Sequence, residues 1–177
     1  MATAVRETPV PGDVPRMAVP VWEERFGVVA GITVRGEGDP GFDLGLWGAG
    51  PSGEAMARWR AFRRADPRFP AHRMAHQCHG ARVLFHGGAD EGWLIADGAD
   101  GHVTATPGVL LTVTVADCIP IYLVDPVARA VALLHSGWRG TAARILEQGL
   151  EVMAERVPGF SVDNLVMHGG VGICGDC

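Results

Sequence analysis

Lysine is absent from this sequence: all 15 of its basic residues are arginines. That absence removes Schiff-base chemistry and the Gly-x-x-x-x-Gly-Lys phosphate loop, since both need the lysine amine. Long apolar runs are missing too. The longest, residues 109–116, contains two threonines and falls far short of the ~20 residues that cross a bilayer. Residues 1–19 hold prolines and acidic side chains where a secretory leader needs an apolar centre. A basic face is lacking as well. A net charge of −5 speaks against nucleic-acid binding, and the six arginines within residues 58–73 fall mostly on one short helix, as a solvated face. These absences point to a cytoplasmic protein without membrane or nucleic-acid partners, whose four cysteines are reduced and available as ligands or nucleophiles.

What is present fits one folded domain: 177 residues with 47% hydrophobic content are enough for a proper core. The 25 glycines, about twice the usual ~7%, imply tight turns and close backbone approaches. Residues 1–20 are proline-rich and aperiodic and read as a loose arm, leaving 21–177 as the domain. A buried strand is expected over 27–35, followed by a glycine-rich loop to Gly53. Ser52 then caps a helix whose apolar stripe is Ala55, Met56, Trp59 and Phe62. Strands follow at 81–85, 109–115, 119–124 and 130–134, with Asp125-Pro126 as the turn between the last two. A second helix is expected over 141–156, with Ala142, Leu146, Leu150, Met153 and Val157 inward, before a final strand at 165–167. Short strands between two helices indicate an α/β or α+β domain.

Three segments place a metal-ligating side chain at a strand end: Gln77-Cys78-His79-Gly80, Ala116-Asp117-Cys118-Ile119-Pro120 and His135-Ser136-Gly137-Trp138-Arg139-Gly140. Two histidines and a thiolate suit zinc, and a catalytic zinc site keeps three protein ligands and one exchangeable position. The ligands are far apart in sequence, so on chemistry and spacing alone a structural cysteine and two hydrogen-bonded histidines are the favoured reading and zinc the alternative. Asp117, in an apolar run, calls for a buried partner. Arg139 stands at an expected helix start, where free N–H groups and the dipole favour an anion such as phosphate; a structural carboxylate partner is the competing role.

These segments, with Gly31-Ile32-Thr33-x-Arg35 and Asp100-Gly101-His102-Val103-Thr104, resemble the laccase-domain or YfiH-like family, also called multicopper polyphenol oxidases. The matches run in family order from Gly27 to the C-terminus. The resemblance implies a layered α/β/α domain with a mixed β-sheet and a zinc ion on His79, Cys118 and His135. It implies purine nucleosides and phosphate as reactants: phosphorolysis of adenosine, inosine and methylthioadenosine, and deamination of adenosine. Within it, Arg60 matches an anion-holding arginine. On the chemistry of the segments themselves, Gln77 and Arg139 are placed on the substrate side, and Asp117 joins Cys118 and His135 among the catalytic residues as a carboxylate that orients a histidine ligand.

Departures accompany the matches. Cys78 replaces an apolar residue, Trp59 and Asp43 replace asparagines, and the chain stops at Gly172-Ile173-Cys174-Gly175-Asp176-Cys177, where other members continue. The domain is therefore expected to lack its C-terminal part. Copper is disfavoured: a true multicopper oxidase needs many histidines, much of the set in His-x-His pairs, and the seven here include no such pair. His72, His76, His86, His102 and His168 read as surface or hydrogen-bonding residues. Two other functions stay open: a Cys118 nucleophile with His135 as base, in an amidase, deamidase or peptidoglycan-precursor editing enzyme, and an inactive zinc-binding fragment. Cys174-x-x-Cys177 reads as ordinary terminal cysteines, and the oligomeric state is not legible.

Overall fold

The computed structural model describes residues 5–37, 41–47 and 50–172. The chain forms two compact units, Met1–Pro67 and Arg68–Cys177, where an arm to residue 20 and one domain beyond it were expected.

In the first unit, β1 (Thr8–Val10), β2 (Arg16–Ala18) and β3 (Gly31–Thr33) form an antiparallel sheet in that order. The proline-rich start is thus not aperiodic throughout. Pro9 is tolerated because β1 pairs only with β2 and sits at the sheet edge. A short helix that the sequence did not signal, α1 (Pro20–Phe26), opens on a proline whose fixed φ suits a first turn. It closes on Gly27 at φ 66°, a left-handed stop that shortens the strand expected over 27–35 to Gly31–Thr33. Helix α2 (Ser52–Arg64) forms where expected, burying Ala55 and Trp59, but Ser52 is its first residue rather than its cap: Pro51 holds the N-cap position and no side chain caps the helix. The indole N–H of Trp59 donates to the Leu44 carbonyl at 2.8 Å.

The second unit holds two sheets among the described residues. One is all-parallel, β6 (Gly92–Asp97), β4 (Ala71–His76), β8 (Val109–Leu111), with the nearly fully buried β4 at its centre. The other has five strands in the order β11 (Val166–Gly169), β9 (Ile119–Asp125), β10 (Ala130–Ser136), β7 (Gly101–Thr104), β5 (Val83–His86). Only its β5–β7 pair is parallel, so this sheet is mixed, and the α/β class is the one expected. Strands β4 and β7 escaped the sequence reading because their histidines and Arg73 mask the apolar pattern; β6, with Trp93-Leu94-Ile95-Ala96, was not read as a strand either. The β9–β10 hairpin turns where Asp125-Pro126 placed it. Buried Asp125 accepts the N–H groups of Val127 and Ala128, both at 2.9 Å, and of Ser161 at 3.1 Å.

The helix expected over 141–156 is two: α3 (Trp138–Ala142) and α4 (Ile145–Arg156), separated at Arg144, whose φ is +63°. The break rotates the buried stripe. Ile145, Gly149 and Met153 face the sheet, Leu146 and Leu150 flank them, and Ala142 is exposed. Gly149 lets α4 approach closely, since a Cβ there would lie 2.9 Å from a Leu134 methyl. With Val103, Leu123, Ala130, Ala132, Leu134 and Val157, this face forms the core.

Three of the histidines read as surface or hydrogen-bonding residues are buried: His72, His86 and His102. His86 Nε2 and His102 Nδ1 lie 3.0 Å apart. Burial, reinforced by nearby Arg73, pushes His86 down to about 4. Burial, reinforced by His86 and opposed by Asp100, pushes His102 down to about 3. Unfolded histidines titrate near 6.5, so below that pH the unfolded chain binds more protons than the native one, and stability falls as pH falls toward 4. Each neutral buried imidazole makes the loss up to about 1.4 kcal/mol per pH unit. Urea unfolding between pH ~6.5 and ~5 should therefore show a shallower slope in His102→Gln than in the parent chain. An unchanged slope would mean that His102 takes up its proton in the native state.

Candidate metal centre

The strand pairing brings the three ligand-bearing segments to one end of the five-stranded sheet. In the β9–β10 hairpin, His135 pairs with Pro120 and Ser136 with Ile119, so one step further Cys118 faces Gly137. On the other side of β10, Leu134 pairs with Gly101, and the His135 N–H donates to the Asp100 carbonyl at 2.7 Å. Strand β5 runs parallel to β7 from Val83↔Gly101, and the Asp100 N–H donates to the Arg82 carbonyl at 2.9 Å, which sets the 77–80 turn beside Asp100. Two glycines of the His-Ser-Gly-Trp-Arg-Gly segment allow this crowding. A Cβ at Gly137 would lie 2.8 Å from Cys118 Sγ and 3.4 Å from the His79 ring, and one at Gly140 would lie 2.8 Å from the Gly80 carbonyl oxygen.

Ligand atoms of His79, Cys118 and His135 lie within 4.8 Å of one another, the one such group among the described residues. His135 is buried and Cys118 half-buried, so the site opens on its His79 side. Two imidazoles, a thiol and a glycine-lined approach fit a borderline-soft cation. Burial, then Asp117, then Asp100 push the Cys118 thiol up, so without a cation it stays protonated. Neighbouring Cys78 is not part of the group: its thiol donates to Asp100 Oδ2 at 3.2 Å, the main cause of its own raised pKa.

Asp100 is the residue that the sequence reading passed over. It is fully buried, and both carboxylate oxygens are engaged. Oδ1 accepts the His79 N–H at 2.9 Å and lies 2.9 Å from His135 Nδ1. Oδ2 accepts the Gly80 N–H at 2.8 Å, the Cys78 N–H at 3.2 Å and the Cys78 thiol. Burial pushes this carboxyl up, but the donors from His135, Gly80 and Cys78 outweigh it and hold it below the ordinary aspartate value. Unpaired, such a charge would cost several kcal/mol. Hydrogen bonds to a charged group contribute about 1.5–3 kcal/mol each. His79 is held at φ 58°, a left-handed conformation that costs about 1–2 kcal/mol outside glycine and that its bond to Asp100 can offset.

None of the other sequence candidates is one of the three grouped ligands. Asp117 is exposed, so the buried partner expected for it is not needed, and Asp100 makes the histidine contact assigned to Asp117. Gln77 is tied to Thr114: its amide donates to the Thr114 carbonyl at 2.8 Å and accepts the Thr114 N–H at 2.7 Å and hydroxyl at 3.0 Å. The Ser136 hydroxyl pairs with Thr141 at 2.8 Å. Arg139 is exposed on α3, its guanidinium 5.1 Å above the Trp138 ring, and it forms no ion pair among the described residues. Because α3 has five residues, its dipole is weaker than that of the long helix expected there, and the anion reading rests on the guanidinium. Arg60 is exposed on α2 in the first unit. Cys174 and Cys177 fall outside the described residues.

Fold and site together define a mixed α/β protein with a His-Cys-His candidate metal centre at a sheet end. Residues 46–177 match the multi-copper polyphenol oxidoreductase laccase family, and the chain belongs to that family. It is 42% identical over 88 residues to an adenosine deaminase, RL5, from an unknown prokaryotic organism, covering 50% of this chain and 33% of that protein. It is 40% identical over 101 residues to a purine nucleoside phosphorylase of Deinococcus radiodurans, covering 57% and 37%. The crystal structure of YlmD from Geobacillus stearothermophilus superposes with a TM-score of 0.81 at 26% identity, covering 95% of this chain and 66% of that one. The chain spans about a third of the length of the two curated relatives.

Gly137→Ala should displace Cys118 Sγ, which lies 2.8 Å from the position of the new Cβ. Metal affinity should fall by on the order of 10- to 100-fold, the range for disturbed ligand positioning. Thermal stability measured with excess chelator should change little, because a short side chain rather than backbone gives way. Unchanged affinity in a metal-buffered titration would place the thiol outside the centre.

Proposed function

We propose that the centre holds one zinc ion on His79, Cys118 and His135 and serves phosphorolysis of purine nucleosides together with hydrolytic deamination of adenosine. The observation that carries this reading is the convergence of three donors from three distant segments. Relatives called purine nucleoside phosphorylase and adenosine deaminase support it. The family's name points to copper, which the same donors could also bind, but a multicopper cluster needs more ligands than this one group supplies.

When bound, zinc would act as a Lewis acid toward a substrate oxygen or water. Cys118 and His135, fixed by the hairpin, would hold the ion on the inner side, and exposed His79 would complete the set. In phosphorolysis a phosphate oxygen bonds to the ribose C1′ while the C1′–N9 bond breaks, and the base leaves with the electron pair and takes a proton. Arg139, two residues beyond Gly137, can hold that phosphate bidentately. In deamination, water adds at C6 and ammonia leaves. Asp117, exposed beside Cys118, is the carboxylate able to exchange a proton there. Gln77 ties the ligand turn to Thr114 and so sets where the substrate side of the centre begins. A reactive thiol nucleophile would need a lowered pKa, whereas burial and two carboxylates raise that of Cys118.

The purified chain should carry about one zinc per molecule, and His135→Ala should lose most of it. Peptide mapping after iodoacetamide should show Cys118 shielded in zinc-loaded protein and alkylated only after chelation. Nucleoside turnover should fall and recover with the metal. Rapid alkylation of Cys118 in metal-loaded protein, or full activity without metal, would favour the thiol nucleophile. Copper as the sole tightly held metal would overturn the zinc assignment.

Arg139→Met should lower phosphate-dependent cleavage on the order of 100-fold, as loss of a charge-stabilising donor does. Phosphate-independent deamination should change far less. Equal losses in the two assays would assign Arg139 a structural role.

A further inference from the structure

His79, Cys118 and His135 come from three segments, and something must aim them at one point. One buried carboxylate touches two of the three segments involved. Asp100 Oδ1 lies 2.9 Å from both the His79 backbone nitrogen and His135 Nδ1. Its other oxygen takes the N–H groups of Cys78 and Gly80, so three successive amides of the 78–80 turn close around one anion. A carboxylate beside a ring nitrogen accepts a hydrogen bond from that nitrogen's N–H, which leaves the opposite nitrogen of His135 with its lone pair free. The left-handed backbone of His79 is strained unless something external holds it, and the held group is the N–H on Asp100.

We propose that Asp100 is the positioning residue of the metal centre, selecting the His135 tautomer that presents Nε2 to the ion and fixing the turn that presents His79. This rests on the metal reading above. Asp100 touches no reacting atom in this role; it acts through the two histidines. Cys78 contributes a fifth donor to the same carboxylate but contacts neither imidazole, so its removal separates packing around Asp100 from the hold on the ligands.

The test uses the full chain and begins without metal or mutation. Imidazole nitrogen shifts of metal-free protein, at a pH where the ring is neutral, should show His135 protonated at Nδ1. Zinc affinity from chelator competition should fall 10- to 100-fold in Asp100→Asn, which turns an acceptor into a donor. Cys78→Ala should stay within about threefold of the parent chain, its one lost contact being to Asp100 Oδ2 and not to either ring. The His135 signal of Asp100→Asn should shift toward the other tautomer, a change that general loosening of the fold does not produce. Protonation of His135 at Nε2 in the metal-free parent overturns the proposal even if Asp100→Asn fails to fold. Zinc affinity unchanged in Asp100→Asn overturns it as well. A parent chain that binds no zinc, with His135 still protonated at Nδ1, overturns the metal reading and this role of Asp100 with it, while leaving the carboxylate's hold on the ring in place.

Discussion

A carboxylate with no exposure to water has to be surrounded by donors, and around Asp100 that requirement shapes one end of the second unit. Its five contacts come from the 78–80 turn and from the end of β10, two places 55 residues or more apart in the chain. Satisfying them leaves little freedom. The turn adopts the φ of 58° at His79 that brings three amides to one anion, and the His135 ring lies against Oδ1. Disrupting either would leave charge in the interior at a cost of several kcal/mol, more than the strain of one left-handed residue.

The rest of the site follows from how closely backbones can approach that anchor. Cys118 reaches the two histidines through the hairpin register, and the register works because position 137 has no side chain to meet the sulfur. Helix α3 settles against the Gly80 carbonyl because position 140 has none either. Neither glycine has a positive φ, so both are required by space rather than by backbone conformation. Beneath them Gly149 does the same for α4 against Leu134, which ties the helix that covers the core to the strand that carries His135.

Two kinds of buried polar group therefore coexist in this unit, in opposite charge states near neutral pH. Asp100 is held ionised by its donors, whereas His86 and His102 are held neutral by burial. Both favour the native state near neutral pH and both lose that contribution on acidification, since in each case the unfolded chain takes up protons first. Arg73 adds a buried positive charge near the histidine pair, its guanidinium donating to the carbonyls of His72 at 3.0 Å and of Asp90 at 2.7 Å.

The sequence by itself determined the chemistry on offer and much of its local setting. His79, Cys118 and His135 stood out because metal-ligating side chains at strand ends are chemically conspicuous, and Asp125-Pro126 marked its turn because both residues favour one. Helix α2 was legible from its apolar stripe. Only the tertiary structure decided which carboxylate serves the histidines. Asp117, next to a ligand in sequence, is exposed, while Asp100 reaches His135 through the pairing of β7 with β10. It likewise decided that the expected helix over 141–156 breaks at Arg144 and that β4 is a buried central strand despite its polar residues. The physical reason is common to all three. Side-chain type and local periodicity are properties of neighbours along the chain, but burial, and the partner that makes burial tolerable, depend on strands that meet only when the sheet forms.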